Sequence, residues 1–169
     1  FEWHEELFAH AHQLGVTLIS TPFDKSAVDL LEKLEVPAYK IASFEIVDLD
    51  LISYVASKKK PVIMSTGLAN LEEIEAALHA VYSQKNRDVI LLHCISSYPA
   101  PTEDANLFTI PDMRQRFNCM VGLSDHTYGT ATSVASIALG SILIEKHFTL
   151  SRSDGGPDAD FSLEPAEFS

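Results

Sequence analysis

Only two cysteines, Cys94 and Cys119, occur in this chain, and both fall near or within apolar, strand-like runs. That gives no basis for a disulfide framework and makes a reducing cytoplasm the simpler home. Basic residues are scarce: 12 Lys and Arg stand against 24 Asp and Glu, for a net charge of −12. A field of that sign repels a nucleic-acid backbone or an anionic membrane surface, so neither is expected as a partner. Any anionic substrate must be held by local donors, against the overall charge. Long apolar runs are missing too. The longest weakly polar stretch, residues 131–144, contains Thr and Ser and is too short to span a bilayer. No Gly-x-Gly-x-x-Gly follows any apolar run, which removes the dinucleotide fingerprint. No low-complexity tract or linker divides the 169 residues, a length suited to one domain, 1–169, with a substantial core.

What is present is a regular series of short apolar runs, each ending in polar residues. They cover residues 16–21, 38–43, 61–66, 89–98, 120–126 and 141–147. Strands buried on both faces read as near-continuous apolar runs, and stretches of helical period separate these six. Helices are expected at 2–13, ending before Gly15, and at 24–35, capped by Asp24 and stopped by Pro37. Others are expected at 50–58, behind Asn70 with acidic residues in the first turn, at 112–116 and at 130–139. A spacing of roughly 20–30 residues between strands suits right-handed βα units. About six such units make either an open doubly wound sheet or an incomplete (β/α)8 TIM-type barrel. The barrel is favoured, because polar residues end every strand instead of gathering at one switch point.

In both architectures ligands bind beyond the carboxyl ends of the strands. Those ends carry Thr21, Lys40, Ser43, Ser65, Ser96, Tyr98, Ser124, Asp125, His126, Lys146 and His147. His126 and His147 close consecutive strands, so they stand side by side; two neutral imidazoles there could bind a divalent metal with positions left open. A single strand-end histidine is more often a hydrogen-bonded structural residue, and only the pairing favours the metal. Asp125 and Glu145 are candidate orienters of the imidazoles, although Glu145 could equally face a surrounding helix. Lys40, inside an apolar strand, must reach polar company. It could bind phosphate or carboxylate, form a Schiff base, or pair with a neighbouring acid. The ring of hydroxyls from Thr21 to Ser124 suits an anion held by neutral donors. His93 differs in strand parity from Ser96 and Tyr98 and reads as a satisfied wall histidine; His4, His10, His12 and His79 lie on surface helices. Residues 151–158 form either a phosphate-binding loop or a plain Gly-Gly-Pro turn.

Read in order, these strand ends resemble the nonulosonic (sialic) acid synthase family. The matching motifs are Ser20-Thr-Pro-Phe23, Ala38-Tyr-Lys-Ile-Ala-Ser-Phe-Glu45, Met64-Ser-Thr-Gly67, Leu92-His-Cys94 with Tyr98-Pro99, Gly122-Leu-Ser-Asp-His-Thr127 and Glu145-Lys-His-Phe-Thr149. Gly156-Pro-Asp158 and Ser162-Leu-Glu-Pro165 complete the set. Ser43-Phe44-Glu45, and the glycines leading to Phe161-Ser-Leu-Glu164, look most like pseudaminic acid synthases.

The resemblance implies a β/α barrel that joins phosphoenolpyruvate to an open-chain N-acylated amino sugar and releases phosphate. The sugar expected for this type is 2,4-diacetamido-2,4,6-trideoxy-altrose. By the same resemblance, His126 and His147 would hold a divalent metal, most often Mn2+, with Mg2+ or Co2+ possible. Thr21, Lys40, Ser43, Ser65, Ser96 and Ser124 would cradle phosphoenolpyruvate. Sialic acid synthases have Asn where this chain has Ser96, so that contact is altered. Glu45, Tyr98 and Asp158 would face the sugar, and the catalytic set would be Lys40, Glu45, His126 and His147. The full-length protein would be a cytoplasmic homodimer.

The family's first two barrel strands and its C-terminal antifreeze-like domain have no counterpart here, so the segment is expected to be part of something longer and inactive alone. Competing readings keep the enzyme but change the sugar (N-acetylneuraminate, legionaminate or a spore-coat polysaccharide relative), or change the class. A Schiff-base aldolase would use Lys40 without a metal, and a carbohydrate-binding relic would be indifferent to loss of His126.

Overall fold

The computed structural model describes residues 2–169, and three of its α-helices start where a side chain, that of Asp24, Asp48 or Asn70, accepts from a first-turn amide. Two sets of residues form compact units: residues up to Met64 with Asn70–Val89, and Ser65–Ala69 with Ile90–Ser169.

In the first unit, α1 (His4–Gln13) buries none of its residues and ends ahead of Gly15, whose φ of +68° is the left-handed stop the sequence suggests. Asp24 accepts from Ala27 N at 2.8 Å and starts α2 (Lys25–Lys33). Strand β1 (Tyr39–Ile41) leads through a 3-10 turn, Ser43–Val47, to α3 (Leu49–Ser57). Asp48 caps α3 by accepting from Leu51 N. Strand β2 (Val62–Ser65) runs parallel to β1, with Lys40 opposite Ile63. Asn70 and Glu73 then form a reciprocal capping box on α4 (Leu71–Ser83). Tyr39, Ile41, Ile52, Val55, Val62, Met64 and Val81 are all at most 1% exposed, so α3, α4 and both strands share one core. Each such side chain contributes roughly 1.5–3 kcal/mol by leaving water.

In the second unit, β3 (Val89–Cys94), β4 (Met120–Asp125) and β5 (Ile144–Lys146) pair in parallel. They alternate with α5 (Thr109–Phe117) and α6 (Ala131–Ala138), and α7 (Pro165–Phe168) closes the chain. Gly122 lets β4 pass its neighbour: a Cβ there would lie 2.4 Å from Leu143 O and 2.7 Å from Leu92 Cδ2. Every strand pair described in the two units is parallel, and helices follow strands throughout. This is the α/β class expected for a TIM-type barrel.

One expected strand is absent. Residues 16–21 form no strand, so five strands stand among the described residues where six were expected. Val16 N turns back to Ala11 O at the end of α1, and Val16 itself is 58% exposed. An apolar run becomes a strand only when a neighbour takes its backbone groups, and no described strand does so here.

Candidate active site

Parallel register sorts the strand ends onto two faces. Ser124 lies opposite Glu145 and Cys94 opposite Ser124, while Asp125 lies opposite Lys146. Successive residues of a strand point to opposite sides, so Cys94, Ser96, Ser124, His126, Glu145 and His147 share one face. His93, Asp125 and Lys146 share the other.

On the second face the chemistry is structural. The Asp125–Lys146 ion pair measures 3.0 Å, with side chains 0% and 4% exposed. Asp125 Oδ1 accepts from Thr127 N (2.9 Å) and Thr127 Oγ1 (2.7 Å), and Oδ2 accepts from Ser133 Oγ of α6 at 2.6 Å. Lys146 Nζ also donates to Thr127 O. Burial works to raise the Asp125 pKa, but the Ser133 and Thr127 hydrogen bonds and Lys146 outweigh it and hold the carboxyl below its usual range. Asp125 is therefore tied to Lys146 and α6, and does not orient an imidazole through a direct hydrogen bond. His93 is buried and contacts Ala105 O through Nε2 at 2.7 Å, the satisfied wall histidine that its parity suggested.

The first face holds the chemistry-bearing groups. The His126 and His147 rings lie 5.2 Å apart, centroid to centroid, at 66°. His126 Nδ1 sits 2.9 Å from Ile95 O and 3.9 Å from Cys94 Sγ. A carbonyl can only accept, so Nδ1 carries the proton and the Nε2 lone pair is left available. Burial pushes the His126 pKa down, but the Cys94 and Ile95 contacts and nearby negative charge leave it raised. His147 is lowered, first by burial and then by the neighbouring His126. Asp158 Oδ2 lies 3.7 Å from His147 Nδ1. Ser124 Oγ donates to Glu145 Oε1 at 2.9 Å, so Glu145 faces this cluster and not a surrounding helix. Tyr98, 48% exposed, lays its ring 4.2 Å from that of His126. Ser96 Oγ contacts Cys94 Sγ at 3.8 Å. Gly67 makes this crowding possible, because a Cβ there would lie 2.3 Å from Ser96 Oγ. Ser65 is buried at the end of β2, and Thr66 Oγ1 anchors the following turn to Leu92 O.

The second unit thus brings together Ser96, Tyr98, Ser124, His126, His147 and Asp158 from the expected set. Thr21, Lys40, Ser43 and Glu45 belong to the first unit. Lys40 is 7% exposed and donates to Ile41 O at 3.1 Å. Ser43 is buried at the start of the 3-10 turn. Glu45 Oε2 is the only buried side-chain nitrogen or oxygen without a hydrogen-bond partner among the described residues. Leaving such an atom unmet costs roughly 1–3 kcal/mol, and an orphan of this kind marks a place where a ligand or water completes the structure. Thr21 is half-buried in the segment before α2.

Sequence reasoning passed over three participants: Cys94 and the Ile95 carbonyl, which meet His126, and Phe161, which packs against His147 at 5.0 Å. Strand parity pointed to Cys94; nothing local pointed to Phe161. The candidate phosphate loop at 151–158 is also resolved. Arg152 is committed to Ser162 O (2.8 Å) and to both oxygens of Glu167 (2.6 and 2.8 Å), which pins the loop to α7.

The donor set decides what kind of metal could be held. Among the described residues no three His, Cys, Asp or Glu side chains gather as ligands, which removes a closed tetrahedral structural site. Two imidazoles, one with its tautomer fixed by a carbonyl, fit a divalent ion that takes its remaining ligands from water or substrate oxygen.

All 169 residues match the model of the NeuB family, and the chain belongs to that family. It is 45% identical over 163 residues to the pseudaminic acid synthase of Helicobacter pylori, covering 96% of this chain and 48% of the relative. It is also 45% identical over 166 residues to the N,N'-diacetyllegionaminic acid synthase of Campylobacter jejuni, covering 97% and 50%. The crystal structure of the spore coat polysaccharide biosynthesis protein SpsE of Bacillus subtilis superposes with a TM-score of 0.95 at 37% identity. It covers 98% of this chain and 47% of that one. The chain spans about half the length of the curated relatives it matches.

Proposed function

We propose that this chain forms part of a nonulosonic acid synthase. In this reading the enzyme condenses phosphoenolpyruvate with an open-chain N-acylated amino sugar and releases phosphate. The observation that carries it is the His126–His147 pair, with Tyr98 against it and the His126 tautomer fixed by Ile95 O. A divalent ion, Mn2+ by preference and Mg2+ or Co2+ as substitutes, would be held by His126 and His147 and would supply Lewis-acid polarisation of the sugar aldehyde.

The remaining roles belong to this chain's own groups. Lys40 brings a positive charge, and Thr21, Ser43, Ser65, Ser96 and Ser124 bring neutral donors, for the phosphate and carboxylate of phosphoenolpyruvate. Fixing both anionic ends orients C3 for attack, and orientation of this kind lowers a bimolecular barrier substantially. Attack forms the new C–C bond, water adds at C2, and the tetrahedral centre expels phosphate. Glu45 Oε2, buried and unmet, is the acceptor or proton carrier offered to the sugar. Tyr98, half-exposed, and Asp158 complete the sugar side.

We assign the pseudaminic type, with 2,4-diacetamido-2,4,6-trideoxy-altrose as the sugar, because of Ser43-Phe44-Glu45 and the match to the H. pylori protein. A legionaminic-type sugar is the second reading, favoured by equal identity to the C. jejuni protein. The full-length protein is proposed as a cytoplasmic homodimer. No helix among the described residues is long and apolar enough to cross a membrane. Phosphate release from phosphoenolpyruvate, measured with a panel of both diacetamido sugars and N-acetylmannosamine, tests the reading. Release with one diacetamido sugar alone supports it and fixes the subtype. Absence of release from folded, Mn2+-loaded full-length protein refutes it.

A further inference from the structure

We infer that Phe161 is a positioning residue that sets the orientation of the His147 imidazole. This rests on the metal reading of the imidazole pair and adds to it a residue that touches neither metal nor substrate. The two imidazoles are held by different means. His126 has a hydrogen bond to Ile95 O. His147 has none within hydrogen-bond distance among the described residues, since Asp158 Oδ2 stands off at 3.7 Å. Its second neighbour is an aromatic ring. Phe161, 3% exposed, lies 5.0 Å from His147 at 55°, 6.3 Å from His126 at 89° and 6.2 Å from Tyr98 at 56°. Tyr98 closes the cluster with an edge contact to His147 at 6.2 Å and 73°. These are the tilted and edge-to-face geometries in which aromatic pairs attract beyond simple burial.

The ring can act as a fixed wall because its loop is tied to the strand extension that carries His147. Leu163 N donates to His147 O and Thr149 N donates to Leu163 O, both at 2.9 Å. Ser162 Oγ donates to Asp158 O at 2.8 Å, Tyr128 OH to Asp160 Oδ2 at 2.6 Å, and Arg152 reaches Ser162 O. Phe161 therefore moves with the backbone of the residue it braces. Packing supplies for His147 what a hydrogen bond supplies for His126.

Phe161→Leu, in the full-length protein, removes the ring and keeps an apolar side chain; Phe161→Met, unbranched and able to fill an irregular gap, repeats the test if the first variant does not fold. Two readouts are taken on protein verified as folded by circular dichroism: the His147 imidazole resonances without metal, and Mn2+ binding by titration. The expected result is displaced His147 resonances and Mn2+ affinity lowered about 10–100-fold, the range seen for loss of groups that orient a metal ligand. Phe161→Tyr is expected to restore both. Unmoved His147 resonances with Mn2+ affinity within about twofold of the parent would overturn the inference. A parent protein that binds Mn2+ no better than His126→Ala refutes the metal reading instead, and the resonance readout then judges Phe161 alone.

Discussion

Lys146→Met removes the ammonium from the Asp125 pair while keeping an unbranched stem in the same space. Both partners are essentially sealed from water, at 4% and 0% side-chain exposure and 3.0 Å apart. At that separation and an effective dielectric near 20, the gross attraction is about 5–6 kcal/mol. Removing one partner of a buried pair costs roughly 3–5 kcal/mol, mostly because the other charge is stranded. Asp125 would keep its three hydrogen bonds from Thr127 and Ser133, which places the loss at the low end, about 3 kcal/mol. For a chain of this size that corresponds to a melting midpoint lower by roughly 6–12 °C. Urea denaturation with an unchanged m-value measures it, and Asp125→Asn in the same chain should recover part of the loss, because no charge is then stranded. A single Lys146→Met variant within about 0.5 kcal/mol of the parent would refute the reasoning, since that is the scale of an ordinary surface change.

Two further outcomes follow from particular contacts. Gly67→Ala should cost about 1–3 kcal/mol, as overpacking does, because its Cβ would lie 2.3 Å from Ser96 Oγ; adding Ser96→Gly should recover most of it, and no recovery would show that the Cys94 contacts dominate. His93 is buried and its pKa lies below the usual histidine value. The unfolded chain therefore takes up this proton first, so stability present above about pH 6.5 is lost as the pH falls from there through the folded pKa; His93→Gln should flatten the stability profile between about pH 7 and 5, and an unchanged slope would assign the loss to other groups.

Local signals carried much of the fold. Asp24 and Asn70 start the helices expected of them because an N-cap needs only its own next three amides. Asp48, two residues before the expected Asp50, does the same for α3. The run at 16–21 failed because strand formation depends on a neighbour that composition does not reveal. Parity along the strands separated His93 from His126 correctly. It could not say that Asp125 and Lys146, a residue apart from the imidazoles, would pair with each other and with Ser133 on α6. Phe161 was illegible for a related reason. Its contact with His147 depends on the tie from Leu163 to His147 O, which joins positions 16 residues apart in a loop without periodicity.

The most direct test of the central claim is phosphoenolpyruvate consumption by the full-length protein with its preferred diacetamido sugar. It is run before and after chelation, in the parent and in His126→Ala. The account predicts consumption in the parent that stops on chelation, returns with Mn2+, and is absent from a folded His126→Ala protein. Consumption that persists after chelation, or survives in His126→Ala, would contradict it.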